Sequence, residues 1–560
     1  MIKLPFINRK EKKDKKEYQN ILLKTKSSNK KDFVTLVILD GLGIHPDPEG
    51  NSLIAANTPF LDTVWSNALS TQIHASGTFV GLPLNEQGNS EVGHLNIGAG
   101  RVVQQSLPRI NESIENGSFA DLDILKEAFN TVKKNRSNLH LIGILSAGGV
   151  HGHIKHLFTL LDICKSRGVD PYIHAFLDGR DTGMTDGYYY ISKTVERIKK
   201  IGVGKISSMS GRFFSMDRDK RWERTELAYN SMVGEGKRKK SDLFTALQEA
   251  YKNGENDQIF TPTTIVDKSG NPVGPIRDND VVIFFNYRED RARQITKVLM
   301  LDEFDYFERI NHPKNLFFVT MTGYERELNT KILFPPKLIE NTLSDVVANA
   351  GMSQLHMSET EKNAHVTYFF NGGKEELHPG EKVYNIPSPK VFDYSKVPEM
   401  SSYLLRDQLI YELDHRDKNP YSFYLINFAN PDMVGHTGNF EATVKANEIV
   451  DQLTEEVVRK SVESNGAAII IGDHGNCETM IDRMTKKIDT AHTDNPVPCI
   501  IVTDESDMKG SGNKIHKIGR GPRADSVTGI LADVAPTTLS LLDLSPSTDM
   551  TGVDLISAIT

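Results

Sequence analysis

Cysteine is scarce in this sequence: Cys164, Cys477 and Cys499 lie far apart and none sits in a CxxC spacing. That excludes a disulfide framework and a thiolate zinc knuckle, and it fits a reducing compartment, with the cytoplasm as the expected location. Long apolar runs are missing too. Stretches such as Val281 to Phe285 stop at strand length, well short of the roughly 18 residues that a membrane span needs. Positive charge is not in excess, since the formal net charge is -8, and this argues against general affinity for a nucleic-acid backbone. Any anionic substrate must then be met by a local basic cluster. A G-x-x-x-x-G-K-[ST] loop is also lacking, which removes the simplest nucleotide-hydrolase reading.

What is present describes a soluble globular protein, with 38% hydrophobic and 25% charged residues. A length of 560 residues exceeds one ordinary core and predicts two folding units. Residues 1–31 are rich in Lys but also carry Glu11, Asp14 and Glu17, and read as a solvated tail. Apolar runs that end in polar residues recur: Phe33 to Leu39 before Asp40, Leu139 to Leu145, Tyr172 to Leu177 before Asp178, Val281 to Phe285 before Asn286, Tyr424 to Ile426 before Asn427, and Ala467 to Ile471 before Asp473. Runs of this kind between helical stretches predict buried strands of mostly parallel sheets, an α/β class. Ile449, Leu453 and Val457 mark a helix face, Pro536 suits the first turn of another helix, and Gly234 to Lys240 reads as an exposed loop. In open sheets, ligands sit beyond the carboxyl ends of the strands, where the polar clusters fall.

Asp40, Asp432, His436, Asp473, His474 and His492 stand at such ends. Taken singly, each acid reads equally as a strand-end cap and each imidazole as a surface residue. Together they form a mixed carboxylate and imidazole set suited to Mn, Zn, Co or similar divalent ions, with ligands enough for two. Asp432 and His436 are four apart, so a helical turn points them the same way. Ser90, in the Gly-flanked run Gly88 to Asn96, would have free N–H groups and the positive end of a helix beside it, which favours a phosphate on its oxygen; the plainer reading is an N-cap. Its spacing is not G-x-S-x-G, against a triad esterase. Arg180, Asp181, Arg212, Arg218 and the run Asn286 to Arg291 form the basic cluster, whose guanidinium forks match phosphate and carboxylate oxygens; surface ion pairs are the alternative for each arginine alone.

The strings GNSEVGHLNIGAGR (88–101), FLDGRD (176–181), GRFFSMDRDKRW (211–222), SETEKNAH (358–365), NFANPDMVGHTG (427–438) and DVAPT (533–537), with Asp40-Gly41, Gly148 to His153, Gly472 to Glu478 and Ala491 to Pro498, together resemble the cofactor-independent phosphoglycerate mutases of the alkaline phosphatase superfamily. The resemblance runs from about Phe33 to the C-terminus. It implies an alkaline-phosphatase-like parallel-sheet domain over 32–105 and 338–560, which binds the metals, with an α/β transferase domain inserted over 106–337. It further implies interconversion of 3- and 2-phosphoglycerate through a phosphoserine on Ser90, with no 2,3-bisphosphoglycerate required. Asp432, His436 and His492 would hold one Mn2+-type ion, and Asp40, Ser90, Asp473 and His474 the other; Co2+, Mg2+ and Zn2+ are the other ions such ligands take. His151, Arg180, Asp181, Arg212, Arg218, Arg288, Arg291 and Lys362 correspond to substrate-binding positions, Asp181 being the candidate general base. A cytoplasmic monomer acting on a small molecule, without nucleic acid or membrane, is the expected setting. The chain departs from the family pattern at Leu42, Ala147, Gly152 and Glu289, none of them a proposed ligand; Glu289 places an acid among the arginines. A phosphatase or sulfatase and a phosphopentomutase of the same superfamily remain alternatives, and a binding protein that had lost catalysis would be expected to have lost ligands, all of which are present here.

Overall fold

The computed structural model describes residues 30–482, 484–509, 514–521 and 527–559. The Lys-rich tail predicted for the start of the chain therefore falls almost wholly outside the described residues. The chain divides into two compact units: one runs up to Gln105 and resumes at Lys337, and the other is Ser106–Pro336.

In the first unit the strand Val34–Leu39 lies at the middle of an eight-stranded sheet. Every residue of that strand is buried, as expected for a run covered on both faces. From one edge the order is Glu381–Ile386, Ser353–Glu359, Tyr421–Phe428, Val34–Leu39, Ala467–Ile471, Val497–Val502, Leu69–His74 and Val527–Ile530. Val497–Val502 alone runs antiparallel to its neighbours. Alternation along the central strand sends Val37 and Leu39 to one core, with Leu453 and Val457 of the helix Phe440–Glu463. Val34, Leu36 and Ile38 go to the other core, with Val92 and Ile97 of the helix Ser90–Ala99. Ile449 joins Leu453 and Val457 on the buried face, as their spacing predicts. Pro536 falls in the first turn of the helix Val534–Leu541.

The second unit holds an eight-stranded sheet in the order Lys331–Ile332, Phe317–Thr320, Val281–Phe284, Leu139–Ile144, Tyr172–Leu177, Lys205–Gly211, Thr263–Ile265 and Arg238–Lys240. Its first six strands are mutually parallel. Gly234 to Lys240 is not wholly a loop, because Arg238–Lys240 pairs in parallel with Thr263–Ile265 as an edge strand. Three consecutive cations suit an exposed edge, where charge discourages pairing with another chain, and this is why composition alone reads as loop.

His378 joins the outer strand of the first unit's sheet to the helix Leu343–Asn349. Its Nδ1–H donates to Glu381 at 2.7 Å and its Nε2–H to Asp345 at 2.9 Å. With both ring nitrogens donating, the imidazolium is favoured, and hydrogen bonds to Asp345 and then Glu381 push His378 up to about 9 from 6.5. A raised folded-state value stabilises the fold fully below about pH 6.5 and loses that contribution as pH rises through 9. His378→Gln is therefore expected to cost about 2 kcal/mol at pH 6, after allowance for solvent screening, and close to nothing at pH 10. Urea unfolding of both proteins at the two pH values measures the difference.

Candidate metal centre and arginine cluster

Three adjacent parallel strands of the first unit end at one place. The register pairs Ile38 with Asn427 on one side and with Ile471 on the other. The next residues along each chain are thereby brought together: Asp40, Asp432 in the short helix Asn430–Gly435, and Asp473 with His474. Ser90 enters from the helix Ser90–Ala99, where it is the first helical residue; the cap is Asn89, whose side chain accepts from the Val92 amide. Freed from capping, the Ser90 hydroxyl points into the cluster, 3.1 Å from Asp40 Oδ1 and 2.9 Å from His474 Nε2.

All three carboxylates are buried. Lys362, delivered by the turn that follows the strand Ser353–Glu359, donates from Nζ to Asp40 Oδ1 at 2.6 Å, to Asp432 Oδ2 at 2.6 Å and to Ser90 Oγ at 2.7 Å. Burial alone would raise the Asp40 and Asp432 carboxyls, but the Lys362 ammonium holds Asp40 below the usual carboxylate range and Asp432 well below it. Burial would lower His474, yet the surrounding carboxylates, Asp473 foremost, push it up to about 10. With Lys362 donating to Ser90 Oγ and His474 protonated, the hydroxyl proton goes to Asp40.

On the outer side, His436 Nε2 lies 3.2 Å and His492 Nε2 3.4 Å from Asp432 Oδ1, and the two Nε2 atoms are 2.9 Å apart. Their Nδ1 atoms face the carbonyls of Thr490 and Gly88 at 2.8 and 2.9 Å. In the neutral tautomer that this selects, Nδ1 carries the proton and both Nε2 lone pairs face the same carboxylate oxygen. Three lone-pair-bearing atoms in that arrangement repel unless a cation or proton stands among them. Deeper in, Asp473 Oδ2 is buried and accepts no hydrogen bond among the described residues. Donor geometry and an orphaned carboxylate oxygen both fit divalent cations. Asp432–His436–His492 and Asp40–Asp432–His474 each offer atoms close enough to share one ion.

His94 and Asn427 belong to this centre, although sequence reasoning gives them no role. His94 Nδ1 lies 3.2 Å from Asp473 Oδ2 and 2.8 Å from the Ser90 carbonyl. Asn427 Nδ2 donates to Asp40 Oδ2 at 2.7 Å. The four-residue spacing from Ser90 was the available signal for His94, since it places both on one helical face.

In the second unit the predicted basic residues gather at the carboxyl ends of its parallel strands. Arg212 is buried and donates to Asp178 at 2.5 Å and to Asp181 at 2.6 Å. Asp178 also accepts the amides of Arg180 and Asp181, at 3.2 and 3.1 Å, which shapes the turn after Tyr172–Leu177. Asp290 takes Arg218 at 2.7 Å and Arg288 at 3.3 Å, with His151 at 3.5 Å. Burial, then Arg212, lowers His151 to about 4, so its ring is neutral near pH 7. Burial and then Arg218, Arg212 and Arg180 lower Arg291, a measure of how closely the guanidiniums crowd. Glu289 turns away from them and pairs with Arg293 at 3.5 Å. The acid that tempers the cluster is Asp290. Of the predicted substrate-binding set, Lys362 lies with the carboxylates of the first unit and the others lie here.

Fold and site define the class, an α/β enzyme with a buried carboxylate, imidazole and serine centre at the carboxyl ends of parallel strands. Residues 110–326 match the family model described as BPG-independent PGAM N-terminus. The 2,3-bisphosphoglycerate-independent phosphoglycerate mutase of Methanococcoides burtonii is 46% identical over 93% of this chain and 98% of its own length. Its namesake from Clostridioides difficile is 47% identical over 94% and 99%. A Leishmania mexicana phosphoglycerate mutase, crystallised at low cobalt concentration, is 29% identical, with 94% of this chain and 98% of its own covered and a TM-score of 0.62. The chain belongs to the 2,3-bisphosphoglycerate-independent phosphoglycerate mutases, which are isomerases.

Removing the ammonium from the centre leaves buried carboxylates without their partner. Lys362→Met is expected to destabilise the metal-free protein by about 3–5 kcal/mol, with part of the loss recovered by saturating Mn2+. Urea unfolding with and without the metal reads both effects.

Proposed function

We propose that this chain interconverts 3-phosphoglycerate and 2-phosphoglycerate through a phosphoserine on Ser90, at a centre for two divalent cations. The observation that supports this best is the setting of the Ser90 hydroxyl, within hydrogen-bond reach of Lys362, Asp40 and His474 at one point. Asp432, His436 and His492 would hold one ion, and Asp40, Ser90, Asp473 and His474 the other. Bound there, the ions supply positive charge that depresses the hydroxyl pKa and neutralises phosphoryl oxygens. Manganese or cobalt suits the oxygen and imidazole donors, and the cobalt with which the Leishmania mexicana protein was crystallised is in keeping with that.

The chain's own residues divide the remaining work. Asp40, which accepts the Ser90 hydroxyl, is placed to take its proton as the oxygen attacks phosphorus, and Lys362 steadies the oxygen through the transfer. The start of the helix Ser90–Ala99 presents backbone N–H groups and the positive end of its dipole to the phosphate so formed. Arg180, Arg212, Arg218, Arg288 and Arg291 recognise the phosphate and carboxylate of phosphoglycerate, with His151 as a neutral partner. Asp181, oriented by Arg212, exchanges protons with the glycerate hydroxyls. Return of the phosphoryl group to the other hydroxyl completes the isomerisation, whereas capture by water would make the protein a phosphatase. Among the described residues no helix is long and apolar enough to cross a membrane. Cys164, Cys477 and Cys499 are free and buried, as suits a reducing compartment, and the setting of this reading is the cytoplasm, with the enzyme acting as a monomer.

A coupled assay from 3- to 2-phosphoglycerate without added 2,3-bisphosphoglycerate tests the proposal. Activity is expected to vanish with chelator and return with Mn2+; free phosphate as the main product would favour the hydrolase instead. Ser90→Ala should lose at least about 1,000-fold in kcat while still binding metal, and residual mutase turnover would sink the serine-ester route. Arg288→Ala should lower kcat/KM by about 10- to 100-fold, and unchanged kinetics would remove it from the site.

A further inference from the structure

We propose that Glu478 is a positioning residue for the metal centre, one buried carboxylate that ties together the chain segments carrying Asp40, Asp473–His474 and His492. The inference rests on the reading of that centre as a divalent-cation site. Glu478 is 1% exposed. Its Oε2 accepts the amide of Gly43 at 3.2 Å and that of Asn476 at 2.9 Å. Its Oε1 accepts Asn495 Nδ2 at 2.8 Å and the Thr493 hydroxyl. Each donor belongs to a segment that carries a proposed ligand. Gly43 follows closely on Asp40, Asn476 on His474, and Thr493 adjoins His492, with Asn495 just beyond. Asn476 in turn donates from Nδ2 to Asp432 Oδ1 at 3.0 Å, so the same carboxylate also bears on the ligand that faces both outer histidines.

The packing around Glu478 is specific to it. A Cβ on Gly43 would fall 2.4 Å from its carboxyl carbon, and one on Gly475 would fall 2.5 Å from its Oε1. Bare backbone at both positions lets two segments close directly on the carboxylate. The Thr493 amide donates to the Gly475 carbonyl at 3.0 Å, which completes the tie between the segments carrying His474 and His492. Among the described residues no lysine or arginine pairs with Glu478, and its partners there are neutral donors. Its contribution is then one of geometry: it fixes where the loops that follow the parallel strands go, and with them the directions of the ligand atoms.

That geometric role separates two substitutions. In Glu478→Gln the new amide nitrogen can face Thr493, whose hydroxyl can rotate, and Asn495, whose amide can flip, while the remaining oxygen still accepts the two fixed backbone amides. Glu478→Ala leaves all four donors without an acceptor. The test is a Co2+ titration of chelator-stripped protein, followed by calorimetry and by the visible absorption of bound cobalt, which reports coordination geometry. The wild type is expected to take up two equivalents. Glu478→Ala should bind about 10- to 100-fold more weakly with an altered band, and Glu478→Gln should recover most of the affinity and the wild-type band. Should Glu478→Ala not fold, Thr493→Ala removes only one donor and is expected to weaken binding about fivefold. Failure of the wild type to bind cobalt would overturn the metal reading itself. Wild-type affinity in both Glu478→Ala and Thr493→Ala would overturn the positioning role alone, and so would a Gln variant as weak as the Ala variant.

Discussion

Three carboxylates held together out of water, those of Asp40, Asp432 and Asp473, constrain everything near them. Burying one unpaired anion costs several kcal/mol, and clustering like charges adds Coulombic repulsion in a medium that screens poorly. For Asp40 and Asp432 the fold does not relieve this by protonation. It brings in Lys362, whose three protons reach Asp40, Asp432 and Ser90, and it turns imidazoles toward them. Even so, Asp473 Oδ2 keeps no hydrogen-bond partner among the described residues. Such a concentration of negative charge has a structural outlet in cation binding. It also has a chemical use, because positive charge gathered there lies beside the Ser90 hydroxyl.

The other cluster obeys the opposite sign of the same rule. Crowded guanidiniums repel, and the sequence supplies Asp178, Asp181 and Asp290 to hold them apart in fixed directions. Arg212 is buried, with its Nη1 given to that internal pairing, whereas Arg180, Arg218 and Arg288 remain exposed. The orientation of Arg212, Arg218 and Arg288 is therefore settled before any ligand arrives, which limits the side-chain entropy lost on binding an anion.

Much of this was legible in the residues themselves. The buried strands could be read because they are continuous apolar runs, and their polar ends marked the places where ligands fall. The pair Asp432 and His436 was visible through helical spacing. Strand order was not, and neither was the reversal of Val497–Val502, because pairing between distant segments leaves no local periodicity. Roles that arise only on packing were hidden for the same reason. Asn427 reads as a strand terminus until Asp40 is set beside it, Asp178 as a cap until Arg212 arrives, and Glu478 as one more loop acid until Gly43, Asn476 and Thr493 close on it. Arg238–Lys240 misled in the other direction, since a charged edge strand and a charged loop share one composition.

The arrangement of strands along the chain also sets an order of events during synthesis. Val34–Leu39 emerges early, yet both of its neighbours in the sheet, Tyr421–Phe428 and Ala467–Ile471, lie hundreds of residues downstream. Ser106–Pro336 holds all eight strands of its own sheet, so it can be complete while its host is still missing most of its sheet. On the ribosome the inserted unit is thus able to fold first, and the apolar central strand must wait for partners. A nascent chain stalled anywhere before residue 421 carries that strand unpaired, which makes the first unit's assembly the stage most dependent on protection from aggregation.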